Sequence, residues 1–255
     1  MANPFFQCKE FIVHQQHTSM KVCTDACLFG AWVSNKALVQ NASNILDIGT
    51  GTGLLSLMLA QVTENSKASI TAIEIESQAA AEASSNFNIS KWSERLKLVN
   101  DSIQNYTANF MAARDEKNKF DIIITNPPFY EGDLKSPDSN KNKAAHSTEL
   151  SWTSLVENSA SLLKEEGHFF VLVPTLRAYT MQKLAEANHL NLAEEVLVYN
   201  DAKHLPFRSF LHFQKNMNSL DKGNSVLRNK IVIKNTDNSY SPAFIELLKD
   251  YYLHL

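Results

Sequence analysis

The stretch Asn126-Pro127-Pro128-Phe129-Tyr130 concentrates groups that suit one kind of chemistry. Asn126 offers a side-chain amide, Pro127 a backbone carbonyl, and Phe129 and Tyr130 an aromatic face. They follow Ile122, Ile123 and Ile124, a β-branched run of the length expected for a buried strand. Proline cannot donate to a sheet ladder, so the strand is expected to stop at Asn126. Each proline also pushes its predecessor out of the α region, which leaves Asn126 and Pro127 extended, with their polar groups projecting from the strand end. An amide, a carbonyl and an aromatic ring at one strand end fit a flat molecule that carries an amino group.

A second constellation lies upstream. Only seven glycines occur in the chain, and three of them alternate in Asp47-Ile-Gly49-Thr-Gly51-Thr-Gly53. Gly-x-Gly after a strand lets the backbone turn tightly and approach a ligand. A dinucleotide fingerprint wants Gly-x-Gly-x-x-Gly, with the third glycine where Leu54 stands; here it comes one residue early, with Asp47 two residues before the first. Glu74, further on, falls near a strand end where a carboxylate accepts both ribose hydroxyls. Glu76 is the neighbouring alternative and reads as a solvated helix-start residue. Asp101 follows the next strand and can accept from the exocyclic amine of an adenine. Each acid alone is more often a helix cap; three at successive strand ends around a glycine turn favour a nucleoside site.

The elements that position these residues alternate regularly from Asn44. Strands are predicted at 45–48, 68–75, 96–99, 120–125 and 167–173, with helices at 54–62, 77–89, 103–113, 152–163 and 176–187. Such βα repeats predict a parallel sheet with helices on both faces and right-handed connections. Residues 192–199 and 207–214 then read as an antiparallel pair, 226–233 as one more extended piece, and Ser241-Pro242 as the start of a last helix. Before Asn44, residues 5–15 suggest a short strand or hairpin arm, and Thr24 or Asp25 is a candidate N-cap for an apolar helix. The polar stretch 131–148 reads as a long loop of functional interest.

With 255 residues and 44% hydrophobic content, the chain can form one sizeable α/β core. No apolar run approaches the roughly 18 residues of a membrane span, and the N-terminus lacks a secretory pattern. Cys8, Cys23 and Cys27 suit a reducing compartment, and buried thiols are favoured over a metal site. Net charge is −3, but residues 203–234 hold Lys203, Arg208, Lys215, Lys222, Arg228, Lys230 and Lys234 against Asp221, a balance of +6 that leaves −9 elsewhere. A phosphate backbone would be drawn to that strip; a solvated face with scattered lysines explains it equally well.

Together the glycine turn, Glu74, Asp101 and Asn126-Pro-Pro-Phe resemble the class I S-adenosylmethionine-dependent methyltransferases, and the last motif resembles that of enzymes methylating planar amino groups. Met20 through Trp32, Glu74 through Ala81, Asn126 through Tyr130, Leu205 through Arg208 and the ending Asn238 through Phe244 are similar to the bacterial tRNA (adenine-37-N6)-methyltransferase family, which acts on a valine tRNA. One departure is Cys23, where the family carries glycine; Phe129 in place of tyrosine keeps the stacking face.

The resemblance implies a Rossmann-like α/β fold with a seven-stranded, mostly parallel sheet ending in an antiparallel pair. It implies an N-terminal extension (1–43) beside the cofactor, a catalytic domain (44–215) and a C-terminal extension (216–255) of the same unit. S-adenosylmethionine is the implied cofactor, held by Lys21, Thr24, Asp47, Gly49, Gly51, Gly53, Glu74, Asp101 and Asn126. In the implied mechanism, Asn126 and the Pro127 carbonyl accept the two N–H groups of adenine N6 for in-line methyl transfer, while Phe129 stacks on the flipped base. Pro128, Tyr130, Lys203, Arg208 and Lys215 are the implied RNA contacts, with the loop 135–143. The expected protein is a cytoplasmic monomer with a tRNA partner and neither metal nor membrane. Methylation of guanine N2 or a protein glutamine is the within-class alternative; a nicotinamide oxidoreductase and a non-catalytic RNA-binding module are the others. The glycine spacing argues against the oxidoreductase, and Asn126-Pro-Pro-Phe against the module.

Overall fold

Ile122 and Ile124 face one apolar cluster and Ile123 the other, so the strand they form is buried on both sides, which accounts for its unbroken β-branched run. That strand lies near the middle of a sheet seen in a computed structural model, which describes residues 3–18, 20–114, 116–128, 150–216 and 226–255. The chain opens with an antiparallel hairpin of β1 (Phe5–Gln7) and β2 (Ile12–His14), then α1 (Thr24–Ser34) and α2 (Ala37–Gln40). The alternating part runs β3 (Asn44–Ile48), α3 (Leu54–Val62), β4 (Ser69–Glu74), α4 (Ser77–Ile89), β5 (Leu96–Asn100), α5 (Ile103–Ala112), β6 (Phe120–Thr125), α6 (Trp152–Leu162), β7 (Leu163–Pro174) and α7 (Ala178–Ala187). It closes with β8 (Leu190–Tyr199), β9 (Arg208–Lys215), β10 (Leu227–Val232) and α8 (Pro242–Leu248).

The sheet order is β10-β8-β9-β7-β6-β3-β4-β5, and only β9 runs antiparallel to its neighbours. The sheet therefore has eight strands where the resemblance implies seven. The additional strand, β10, pairs parallel with β8 at the sheet edge, and its first four residues are exposed, so it has no alternating signature. Helices α1, α3, α4 and α8 pack on one face and α5, α6 and α7 on the other. One apolar cluster extends from Cys8 to Tyr251, so both chain ends share the core of the central βα units.

The α1 cap differs from expectation. Cys23 occupies the N-cap position without a side-chain capping bond, Thr24 is the first helical residue and exposed, and Asp25 accepts from Arg208 Nε at 2.8 Å. A guanidinium within reach holds the carboxylate more strongly than a neutral amide does. Ser241 does cap α8, accepting from Phe244 N–H at 3.1 Å, with Pro242 at the first helical position.

Because β3 sends the chain outwards to β4 and β5 and then back to β6 on its other side, the strand order reverses between β3 and β6. Ligands of open α/β sheets bind outside the carboxyl ends at such a point.

Candidate active site

A cavity of about 290 Å³ opens there, lined by residues following β3, β4, β5 and β6 and by Thr18 and Met20 from the N-terminal segment. That volume is at the lower end of the range for ligand clefts, about 300–1,000 Å³. Gly49, Gly51, Glu74, Asp101, Asn126 and Pro128 all line it, so six positions spread over 80 residues of sequence converge.

The glycine turn builds one wall. Gly49, Gly51 and Gly53 have φ of 70°, 56° and 85°, a region that residues with a Cβ rarely adopt. A Cβ at Gly49 or Gly51 would meet nothing within 4 Å, so bare backbone faces open space at both positions. Gly53 does different work: it caps α3, and a Cβ there would lie 2.5 Å from Phe87 on α4. The Gly49 and Thr50 N–H groups donate to the Ile73 carbonyl at 2.8 and 3.1 Å, tying the turn to β4.

Two acids shape this turn from opposite sides. Glu74 is buried, with one carboxylate oxygen accepting from Gly51 N–H and the other from Glu76 N–H, each at 2.9 Å. Asp47 is fully buried behind the turn and does not line the cavity; its Oδ2 accepts from Thr50 Oγ1 at 2.6 Å and Ser56 Oγ at 2.7 Å. Burial pushes the Asp47 carboxyl up to about 6, against the lowering effect of those two hydroxyls. Asp101 Oδ1 accepts from Ser102 N–H and Asn105 Nδ2, which fixes the carboxyl at the start of α5. Ile75, 56% exposed beyond Glu74, and Ile103 give the cavity apolar sides.

Asn126 stands one residue beyond β6, and its Oδ1 is buried without a hydrogen-bond partner among the described residues. Pro127 is buried and Pro128 exposed at the rim. Phe129, Tyr130 and the loop 131–148 lie outside the described residues.

Several expected contacts fall elsewhere. Lys21 does not line the cavity; its ammonium donates to the backbone carbonyls of Gln15, Gln16 and Thr18. Thr24 is exposed on α1, away from the lining. Arg208 is paired with Asp25, and Lys215 donates to the Leu163 carbonyl at 3.1 Å and sits 3.3 Å from Glu165. Of the three expected basic contacts, Lys203 is exposed while Arg208 and Lys215 are half-buried. The lining residues that sequence reasoning missed are chiefly Thr18, Met20, Ile75 and Ile103. An apolar residue directly after a strand-end acid, as in Glu74-Ile75, is a usable signal; Thr18 and Met20 sit in an irregular segment with no periodicity to expose them.

Among the described residues, no group of three or more His, Cys, Asp or Glu side chains is arranged to hold a metal, and no helix is long and apolar enough to cross a membrane.

Residues 29–195 match the family described as methyltransferase small domain. A protein of Bacteroides thetaiotaomicron is 36% identical over 255 residues, covering all of both chains, and one of Cytophaga hutchinsonii is 36% identical over the same span; both are named tRNA1(Val) (adenine(37)-N6)-methyltransferase. A Shigella dysenteriae protein of that name is 35% identical, covering 98% of this chain and 95% of its own. Among solved structures, an Agrobacterium tumefaciens protein described as a predicted O-methyltransferase superposes with a TM-score of 0.64 at 14% identity, covering 88% of this chain and 95% of its own. A T. thermophilus 16S rRNA N2 G1207 methyltransferase, solved with AdoMet and guanosine, superposes with a TM-score of 0.55 at 20% identity, covering 83% of this chain and 49% of its own. The likeness to these structures concerns the fold, and the full-length relatives concern the family: this chain belongs to the methyltransferase small-domain family, in the group of tRNA1(Val) (adenine(37)-N6)-methyltransferases.

Proposed function

We propose that this protein transfers the methyl group of S-adenosylmethionine to N6 of an adenine in tRNA, position 37 of a valine tRNA. The observation that carries this reading is Asn126 Oδ1, a buried acceptor at the edge of the cavity without a partner among the described residues. Buried polar atoms are nearly always paired, and the exocyclic amine of a bound base supplies a donor for this one.

When bound, the sulfonium supplies an electrophilic methyl group. The chain's own residues hold and orient. The bare backbone at Gly49 and Gly51 admits close approach, Glu74 accepts from the ribose hydroxyls, and Asp101 from the adenine amine, with Ile75 and Ile103 against the ring. On the substrate side, Asn126 Oδ1 and the Pro127 carbonyl accept the two N–H bonds of the target amine. Its lone pair is otherwise delocalised into the ring; two acceptors favour a pyramidal nitrogen. Catalysis then rests on orientation and preorganised acceptors. Phe129 stacks on the base turned out of its loop, flanked by Pro128 and Tyr130.

Beyond β6, the rim continues over the ends of β7, β9 and β8. Leu176, Tyr179 and Leu205 are 96%, 69% and 87% exposed there, and Lys203 is exposed near Leu205. Exposed apolar and aromatic groups beside a cation suit unstacked bases and their phosphates. Residues 44–215 carry the catalysis, with 1–43 and 216–255 as extensions of the same unit. Free thiols at Cys8, Cys23 and Cys27 suit a cytoplasmic protein, which we take to be monomeric.

The test is methyl transfer to bulk tRNA followed by nucleoside mass spectrometry. N6-methyladenosine in the valine tRNA is the expected product. N2-methylguanosine, or label appearing in protein, would overturn the assignment.

A further inference from the structure

Between β2 and α1, residues 15–18 and 20–23 form no regular structure, so their backbone groups need other partners. Side chains provide them from both directions. The Glu82 carboxylate, 6% exposed on α4, accepts from three successive backbone N–H groups: Gln16, His17 (3.1 Å) and Thr18 (2.9 Å). The Lys21 ammonium takes the complementary carbonyls, of Gln15, Thr18 (3.0 Å) and Gln16 (3.4 Å). One turn further along α4, Asn86 is fully buried; it exchanges hydrogen bonds with the His14 backbone at 2.9 Å each way and donates to the Thr52 carbonyl in the glycine turn, also at 2.9 Å. Gln15 Oε1 closes the segment by accepting from Val22 N–H at 2.8 Å.

Burial alone would raise the Glu82 carboxyl, yet the amides of residues 16–18 outweigh it and hold its pKa below the usual carboxylate range. Glu82 is thus a charged clamp on a wall of the cavity, because Thr18 and Met20 of this segment line the same space as Gly49, Glu74 and Asp101.

We propose that Glu82 and Lys21 are positioning residues for cofactor binding: a carboxylate gathering the N–H groups and an ammonium gathering the carbonyls hold residues 16–18 and 20 in place as the N-terminal wall of the cofactor cavity. Neither side chain lines the cavity; both act through the backbone they fasten. An irregular segment released from such anchors regains backbone entropy and forms its wall only part of the time. If the binding-competent fraction falls to about one tenth, the apparent Kd rises tenfold. The inference rests on the methyl-transfer reading, since it takes that cavity as the cofactor's.

The experiment compares the full-length protein with Glu82→Gln, Lys21→Met and Lys21→Arg. Binding of S-adenosylhomocysteine is measured by calorimetry, and amide hydrogen exchange of residues 16–18 is measured without ligand. Glu82→Gln and Lys21→Met should each raise Kd about tenfold or more and speed exchange at 16–18. Both should raise the KM for the methyl donor far more than they lower kcat, and Lys21→Arg should restore most of the affinity. Faster exchange with Kd within about twofold of the unmodified protein would overturn the proposal. So would weaker binding by Lys21→Met with residues 16–18 still protected, since Lys21 would then act on the ligand directly. Failure of the unmodified protein to bind S-adenosylhomocysteine would instead overturn the methyl-transfer reading, and the proposal with it, whatever the exchange rates.

Discussion

At the carboxyl ends of β3, β4, β5 and β6 the chain leaves polar groups facing a cavity, whereas across β7, β9, β8 and β10 it pairs them with one another. On the first side, Asn126 Oδ1 is buried without a partner among the described residues, and the Gly49 and Gly51 backbone borders open space. On the second, Arg208 meets Asp25, Lys215 meets Glu165, Arg228 lies 3.6 Å from Glu195, and Lys36 meets Glu194, itself held by Asn229. Charge count therefore misleads about where a ligand binds. Unsatisfied geometry, not the density of ionisable residues, marks the side that waits for something.

Asn126→Ala should break this contrast most severely. If the unpartnered amide is the substrate's acceptor, turnover falls by about 10²–10³-fold or more, the scale seen when one preorganised transition-state contact is removed. S-adenosylhomocysteine affinity should stay within a few-fold in calorimetry. Near-normal turnover would remove the basis of the reading.

The two sides also hold buried ionisable groups of opposite tendency. Burial raises Asp47 to about 6, so its folded pKa lies above the unfolded value; the associated stability is present below about pH 4 and is lost as pH rises to about 6. The shift corresponds to at most about 3 kcal/mol. In the other half, His212 stacks on Phe170 and lies 2.9 Å from His168, and burial lowers both imidazoles. A lowered histidine gives stability above about pH 6.5 that is lost as pH falls towards the folded pKa. Asp47→Asn should therefore steepen the gain of stability between pH 4 and 6, and His212→Gln should flatten it. Denaturant midpoints across that range check both slopes.

Much of the cavity side was legible in the sequence because its signals are local. The helix limits 54–62 and 77–89 and the strand 120–125 agree with the sequence reading, since each carries its own periodicity and stop residues. Gly49, Gly51, Glu74, Asp101 and Asn126 follow from their places at strand ends. What escaped depends on partners far away in the chain. Glu82 reads as one more polar residue on α4, and its bonds to residues 16–18 span 64 to 66 positions. Arg208 and Asp25 are 183 positions apart, so the basic strip could not show that Arg208 was already engaged. The extended piece read at 226–233 is β10, but its parallel place beside β8 at the sheet edge left no mark in its sequence.

Arg208→Glu tests the pairing of the far half. It places a second carboxylate beside Asp25, whose side chain is only 12% exposed, and should cost about 1–3 kcal/mol in denaturant unfolding. Unchanged stability would show that this ion pair contributes nothing to the fold.

Lys203→Glu should have the smallest effect on the fold and the cleanest effect on RNA. The side chain is exposed, and among the described residues its backbone N–H alone is engaged, by Asp201 at 2.8 Å, so stability should move by less than about 0.5 kcal/mol. If the rim beside Leu205 carries phosphate, losing one contact weakens tRNA binding several-fold at low salt and reduces the slope of log K against log salt by about 1. Cofactor affinity should not change, because Lys203 is absent from the cavity wall. A salt slope unaltered by Lys203→Glu would move the phosphate track off this rim, leaving Leu176, Tyr179 and Leu205 as contacts for bases alone.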